Sequence, residues 1–168
     1  MITPEEQRFI DSVAPAAKAA AARWGVPASV TIAQAIDESG WGKSYLSREY
    51  HNYFGIKFNS HQSGVAYVRM ATNEVIDGAS VKILANFMNY PSAEKSFAAH
   101  GCLLATAPRY SPAMDDSDDP FEFATQLRVC GYSTDPAYAA KLGKLITEFH
   151  LTQYDKPKDP PAAAAVAA

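Results

Sequence analysis

A helix that is apolar on nearly every side has to be wrapped by other elements, and residues 28–36 predict one. Pro27 opens the run, and Val30, Ile32, Ala33 and Ile36 read as almost wholly buried. It leads straight into Asp37-Glu38-Ser39-Gly40-Trp41-Gly42-Lys43. Gly-Trp-Gly breaks the helix, exposes its last residues and lets the backbone lie close to a ligand. A buried helix holds its last side chains firmly, which suits a catalytic group. Trp41 offers a flat face on which a sugar can lie. An acid beside an aromatic wall can stay protonated near neutral pH. Glu38 is therefore the leading candidate for a general acid. The plain alternative is a solvated Glu at a helix end capped by Gly40.

The rest of the chain supplies the wrapping. Thr3-Pro4-Glu5-Glu6 is a helix start, with Phe9, Ile10, Val13, Ala17 and Ala20 at helical spacing as far as Trp24, where Gly25 stops it. From about 64 to 90 the period changes to two. Val68, Met70 and Thr72 alternate with more polar neighbours, as do Val81, Ile83, Ala85 and Phe87, and Asp77-Gly78 between them is a hairpin turn. Helices resume with one capped by Ser92. Residues 108–112 read as a loop, and further helices start at Asp119-Pro120 and Asp135-Pro136. The fold class expected is mainly α (α+β): a helical domain over 1–154 with a small β-hairpin lobe. Residues 155–168, rich in Pro and Ala, read as a disordered tail.

Among 168 residues the net charge is −3, with no basic stripe, so nucleic acid is not an expected partner. No apolar run is long enough to span a membrane, and the polar N-terminus is not a signal peptide. If the protein acts outside the cytoplasm, in the periplasm or beyond it, then specialised export, phage delivery or the loss of a leader has to account for it. Cys102 and Cys130 read as reduced thiols rather than a disulfide. The four histidines lack metal spacing, so neither metal nor cofactor is expected.

Four segments, in order, resemble the flagellar-type peptidoglycan N-acetylglucosaminidases of glycoside hydrolase family 73. They are Ala33-Gln34-Ala35-Ile36-Asp37-Glu38-Ser39-Gly40-Trp41-Gly42-Lys43, Asn52-Tyr53-Phe54-Gly55-Ile56-Lys57, Pro108-Arg109-Tyr110 and Gly131-Tyr132-Ser133-Thr134-Asp135-Pro136-Ala137-Tyr138-Ala139. The resemblance covers about residues 9–150. It implies a lysozyme-like helical domain whose β-hairpin lobe flanks a long cleft. The implied substrate is the glycan strand of bacterial cell wall, cut at the β-1,4 bond on the reducing side of N-acetylglucosamine by a monomer. It puts the acid on Glu38, a second functional carboxylate on Glu74 just ahead of the hairpin turn, and a cleft tyrosine on Tyr132. Trp41, Asn52, Phe54 and Tyr110 are the implied substrate-binding set. Asp37 departs from the apolar or small residue usual there, and as a carboxylate it would raise the Glu38 pKa.

The chemistry of the residues agrees in kind. Glycoside hydrolysis needs one group to protonate the leaving oxygen and another to help water or stabilise the cation. Carboxyls about 5 Å apart suit a retaining route, about 6.5–9.5 Å an inverting one, and the substrate's own N-acetyl group is a third possibility. Glu74 could equally be a solvated strand residue. Tyr132 and Tyr138 could be core aromatics, and Tyr138 reads as packing. Asn52 and Phe54 could simply anchor the loop that shapes the cleft. The alternatives for the whole protein are a muramidase or lytic transglycosylase on the same fold, a non-catalytic peptidoglycan-binding or structural module, and a Cys-His amidase. The last is poor, because both cysteines lie in apolar helical settings without a glycine-rich turn.

Overall fold

The computed structural model describes residues 2–58, 66–76 and 79–155, and the side chains of all of these but 73–76 and 80. The proposed tail lies outside the described residues except for Asp155, which turns out to be packed. The predicted central helix is α2 (Ala28–Ser39), and every residue of it but Asp37 and Glu38 is buried. α1 (Pro4–Trp24) crosses it. Thr3 and Glu6 form the capping box of α1. The Thr3 hydroxyl accepts the Glu6 N–H, and the Glu6 carboxylate accepts the Thr3 N–H at 2.8 Å. Gly25, in the left-handed region, closes the helix as expected.

A short helix that the sequence reading lacks follows the Glu38 motif: α3 (Tyr45–Tyr50), capped by Ser44. At six residues it is too short to show a period. The expected hairpin is β1 (Tyr67–Ile76) paired antiparallel with β2 (Ala79–Met88), Tyr67 opposite Met88 and Ile76 opposite Ala79. Its Asp77-Gly78 turn lies outside the described residues. The base of the hairpin is sewn to the helical body. Phe58 N–H donates to the Asn86 carbonyl at 2.8 Å, and Met88 N–H donates to that of Ile56 at 2.9 Å. Phe87 and Met88 are buried there.

α4 (Ala93–Thr106) starts at its Ser92 cap and packs along α1. Residues 108–112, expected to be a loop, are helical. A 3₁₀ turn over Pro108–Tyr110 runs into α5 (Ser111–Asp115). Pro112 is tolerated because it sits in the first turn of α5, where its missing N–H has no partner to lose. α6 (Pro120–Val129) is capped by Asp119, whose carboxylate accepts the Phe121 and Glu122 N–H groups. α7 (Tyr138–Glu148) begins later than Asp135-Pro136 suggests, because the Asp135 carboxylate holds Ala137 N–H at 2.9 Å in a turn of its own. α6, α7 and a last 3₁₀ turn, Leu151–Tyr154, close around α2. Asp155, assigned to the tail above, accepts the Ser29 N–H at 2.8 Å and so caps α2, whose own N-cap, Pro27, has no side chain able to do it. Cys102 and Cys130 are both free thiols. No helix among the described residues is long and apolar enough to cross a membrane.

Candidate active site

The end of α2 is shaped by three successive left-handed residues, Gly40, Trp41 and Gly42, with φ of 57°, 61° and 70°. Trp41 is strained there, as non-glycine residues are in this region. Buried Ser39 organises the turn: its hydroxyl donates to the Ala35 carbonyl and accepts Gly42 N–H at 2.7 Å. A Cβ on Gly42 would lie 2.7 Å from the Phe9 ring, so the backbone passes too close to α1 for a side chain. The chain therefore turns away at once, and Glu38 is left at the rim of the helix.

Glu38 makes no hydrogen bond or ion pair with any described residue. Its side chain reaches solvent, yet enough protein surrounds the carboxyl for burial to push its pKa above the ordinary carboxylate value. The adjacent Asp37 pushes it the same way by like charge. The last turn of α2 carries no basic residue, and the negative end of the helix also disfavours an anion there. All these influences favour the protonated acid.

Two tyrosines feel the charge of Glu38, and a third packs beside them. Tyr132 and Tyr138 stack at 5.7 Å and 27°, and Tyr110 lies 6.0 Å from Tyr132. Burial is the main reason that both Tyr132 and Tyr138 have hydroxyl pKa values above the ordinary range, and the charge of Glu38 pushes each further. Both are therefore protonated donors at neutral pH. The backbone that leads into Tyr132 is held by Arg109. Arg109 donates to the Cys130 carbonyl through Nε at 3.1 Å and Nη2 at 2.8 Å, and to the Gly131 carbonyl at 3.1 Å. Its guanidinium also lies over the Tyr110 ring. Gly131, with φ of 77°, passes so close that a Cβ would meet Arg109 Nη2 at 2.7 Å.

The other expected site residues are placed differently. Asn52 is 1% exposed, its amide donating to the Ile56 and Met88 carbonyls and accepting Ile56 N–H. Phe54 is also buried, stacked on His100 at 3.9 Å and 7°. Both side chains are turned to the interior in this structure. They are anchors, because the loop they belong to has to tie β2 to α4. Trp41 is half-buried, edge-on to Phe9 and to Phe149 at 4.9 Å, so its described contacts are with α1 and the end of α7. The Tyr110 ring is buried behind Tyr132. Glu74 sits opposite Val81 in the hairpin, and its side chain lies outside the described residues. The sequence reading passed over Gln34, His100 and Arg109. For Gln34 there was a signal: it lies four residues before Glu38, on the same helical face.

No group of three or more His, Cys, Asp or Glu among the described residues is arranged to hold a metal ion. A cavity of about 830 Å³, lined by Pro27, Asp119, Phe121 and Asp155 among others, lies at the other end of α2. At the helical rise that is about 15 Å from Glu38, so it is not part of this site.

A profile of the Glucosaminidase family, described as mannosyl-glycoprotein endo-beta-N-acetylglucosaminidase, matches residues 14–151. The peptidoglycan hydrolase FlgJ of Pseudomonas aeruginosa is 39% identical over 149 residues, covering 86% of this chain and 37% of FlgJ. The exo-glucosaminidase LytG of Bacillus subtilis is 36% identical over 157 residues, covering 90% of this chain and 54% of LytG. This chain thus spans about a third to a half of the length of these curated relatives. Among solved structures, the catalytic domain of the autolysin Auto from Listeria monocytogenes superposes with a TM-score of 0.80 at 32% identity, covering 92% of this chain and 90% of that one. The profile match over most of the sequence, together with this shared lysozyme-like fold, shows that the chain belongs to the Glucosaminidase family, glycoside hydrolase family 73.

Proposed function

We propose that the protein is a peptidoglycan glycosidase that cuts the β-1,4 bond between N-acetylglucosamine and N-acetylmuramic acid, with Glu38 as general acid. The observation that carries this reading is an unpaired carboxyl at the end of a buried helix, its pKa pushed up by burial and by Asp37, beside tyrosine hydroxyls. Such a group keeps its proton to higher pH than an ordinary carboxyl and can hand it to a leaving oxygen. The name of FlgJ, a peptidoglycan hydrolase, supports cell-wall glycan as the substrate, that of LytG supports glucosaminidase activity, and action would be in the periplasm or on the wall.

Protonation of the glycosidic oxygen by Glu38 leaves an oxocarbenium-like sugar to be quenched. Glu74, carried by β1, is the proposed second carboxylate, activating water or stabilising that cation. Tyr132, following backbone held by Arg109, is proposed to donate a hydrogen bond to the reacting sugar. Tyr110 and Trp41 are proposed to shape the cleft wall. The catalytic domain is proposed to run through Asp155, one residue past the boundary expected from the sequence.

Glu38→Gln keeps the shape but cannot deliver a proton. Turnover of purified wall should fall by about 10²–10⁴-fold with the fold intact. Near-normal turnover in a folded Gln variant would refute the assignment. Borohydride labelling of digested wall should mark N-acetylglucosamine. Labelled muramic acid would make the protein a muramidase, and an anhydro end a transglycosylase.

A further inference from the structure

One helical turn below Glu38, on the same face of α2, Gln34 is wholly buried. Its Nε2 donates to the Tyr138 hydroxyl at 2.8 Å, and its Oε1 lies 2.9 Å from His100 Nε2. With the amide carbonyl turned to His100, Nε2 of the imidazole carries the hydrogen and Nδ1 is bare. Burial keeps His100 neutral, with a pKa pushed down to about 3, so the ring has one hydrogen to give. The ring cannot turn. Phe54 is stacked flat against it, and Tyr132 meets it edge-on at 5.8 Å. His100 thus fixes Gln34, and Gln34 fixes the Tyr138 oxygen as an acceptor. The hydrogen of the Tyr138 hydroxyl then has no acceptor among the described residues. Gln34, which touches that hydroxyl, stands one turn before Glu38 on the same face of α2, so Glu38 is the nearby carboxyl on that side, and its charge raises the Tyr138 pKa more than that of Asp37 does.

We propose that Gln34 and His100 hold the Tyr138 hydroxyl with its hydrogen turned toward the Glu38 carboxyl, making Tyr138 a positioning residue that steadies the carboxylate once its proton has gone. The role in turnover rests on the reading of Glu38 as the acid. The proton that moves is the one on Glu38, passed to the glycosidic oxygen, and Tyr138 keeps its own. Among the described residues, the titratable groups that feel the charge of Glu38 or act on it are Asp37 on α2, Tyr132 after α6 and Tyr138 on α7; Tyr110 acts on both tyrosines, Lys141 of α7 pairs with Asp135 and acts on Asp37, and neutral His100 bonds Gln34. Of these, Tyr138 alone has its hydroxyl oxygen clamped from behind by a buried amide.

The test follows the Glu38 carboxyl by ¹³C NMR titration of the full chain, assigned by the signal that Glu38→Gln removes. Tyr138→Phe takes away the donor and keeps the ring. Gln34→Met keeps the hydroxyl and frees its direction. Glu38 accepts no hydrogen bond from Tyr138 in this structure, so the hydroxyl acts on the carboxyl once it is ionised, and its loss should raise the Glu38 midpoint by up to about one pH unit in Tyr138→Phe, and by less in Gln34→Met. The basic limb of the wall-lysis profile should move up with it, while kcat falls about tenfold and KM is unchanged. A role confined to packing would lower stability and leave both the midpoint and the basic limb in place. A midpoint that stays put or moves down in either folded variant overturns the proposal. This is also what the reverse amide orientation would give, since Gln34 would then take the Tyr138 hydrogen itself. If Tyr138→Phe does not fold, Gln34→Met decides. Because the titration needs no substrate, a rise in midpoint alongside full activity in Glu38→Gln would support the hydroxyl's placement and refute the acid role.

Discussion

Asn52→Ala removes three hydrogen bonds at a point 1% exposed: two donated to the Ile56 and Met88 carbonyls and one accepted from Ile56 N–H. The Ile56 carbonyl keeps a partner, because Met88 N–H still donates to it at 2.9 Å. Ile56 N–H is left without its acceptor, and Met88 loses a donor to its carbonyl. Three bonds worth about 0.5–1.5 kcal/mol each, with one stranded donor offset in part by water entering the vacated space, give a loss of about 2–4 kcal/mol. For a domain of this size that lowers Tm by about 5–15 °C. Urea unfolding and calorimetry at neutral pH check the stability, and Michaelis kinetics on soluble wall fragments at a temperature where the variant is folded check the rest. The expected result is a large stability loss with KM within about threefold of wild type. A variant as stable as wild type with KM raised tenfold or more would mean that Asn52 touches the sugar, and that the buried anchor described here is wrong.

Asp155→Ala should cost about 1 kcal/mol by uncapping α2, read as a Tm drop of a few degrees. An unchanged Tm would show that water replaces the cap. Arg109→Ala loses its bonds to the Cys130 and Gly131 carbonyls, exposed enough that stability should fall by only about 1–2 kcal/mol. Turnover should fall further than stability does, and Arg109→Lys, without the planar fork, should not restore it. The raised pKa of Glu38 also has a sign for stability. Above the ordinary carboxylate value of 4.5 the folded state holds on to the Glu38 proton more than the unfolded chain does, so stability falls as pH rises through that window. Glu38→Gln should therefore raise Tm at pH 7, with the gain fading below about pH 4. A gain independent of pH would mean that the carboxyl is not held unfavourably.

The features readable in the sequence were those written over a few neighbouring residues. The capping box at Thr3 and Glu6, the buried run of α2, the Gly-Trp-Gly break after Glu38 and the period-two stretch of the hairpin each depend on spacings of a few residues. What escaped depends on partners far along the chain. Asn52 and Phe54 sit beside a glycine in what looks like a cleft loop. Their burial follows from Met88, 36 residues on, and from the flat face of His100. Tyr138 does pack in the core, as its sequence setting suggests, but the amide that holds its hydroxyl is 104 residues away and could not be read from it. Asp155 looked like the start of a tail because its one bond reaches back 126 residues. The helix at 45–50 was missed for another reason: six residues carry no period.

The placement of Glu38 sets one requirement against another. A general acid has to be protonated near neutral pH, and here the anion is disfavoured by burial, by Asp37 and by the negative end of α2. The same influences destabilise the end of the helix that must hold the acid still. The two ends of α2 show how the fold meets both demands. At the start, Asp155 supplies a carboxylate where the helix is positive and Pro27 has no cap to offer. At the finish, Ser39 and three left-handed residues satisfy the carbonyls and N–H groups without bringing a cation near Glu38. A Lys or Arg capping that last turn would have stabilised the helix and pulled the Glu38 pKa back down. Neutral groups hold the turn instead, so the rigidity of α2 and the protonation of Glu38 do not compete.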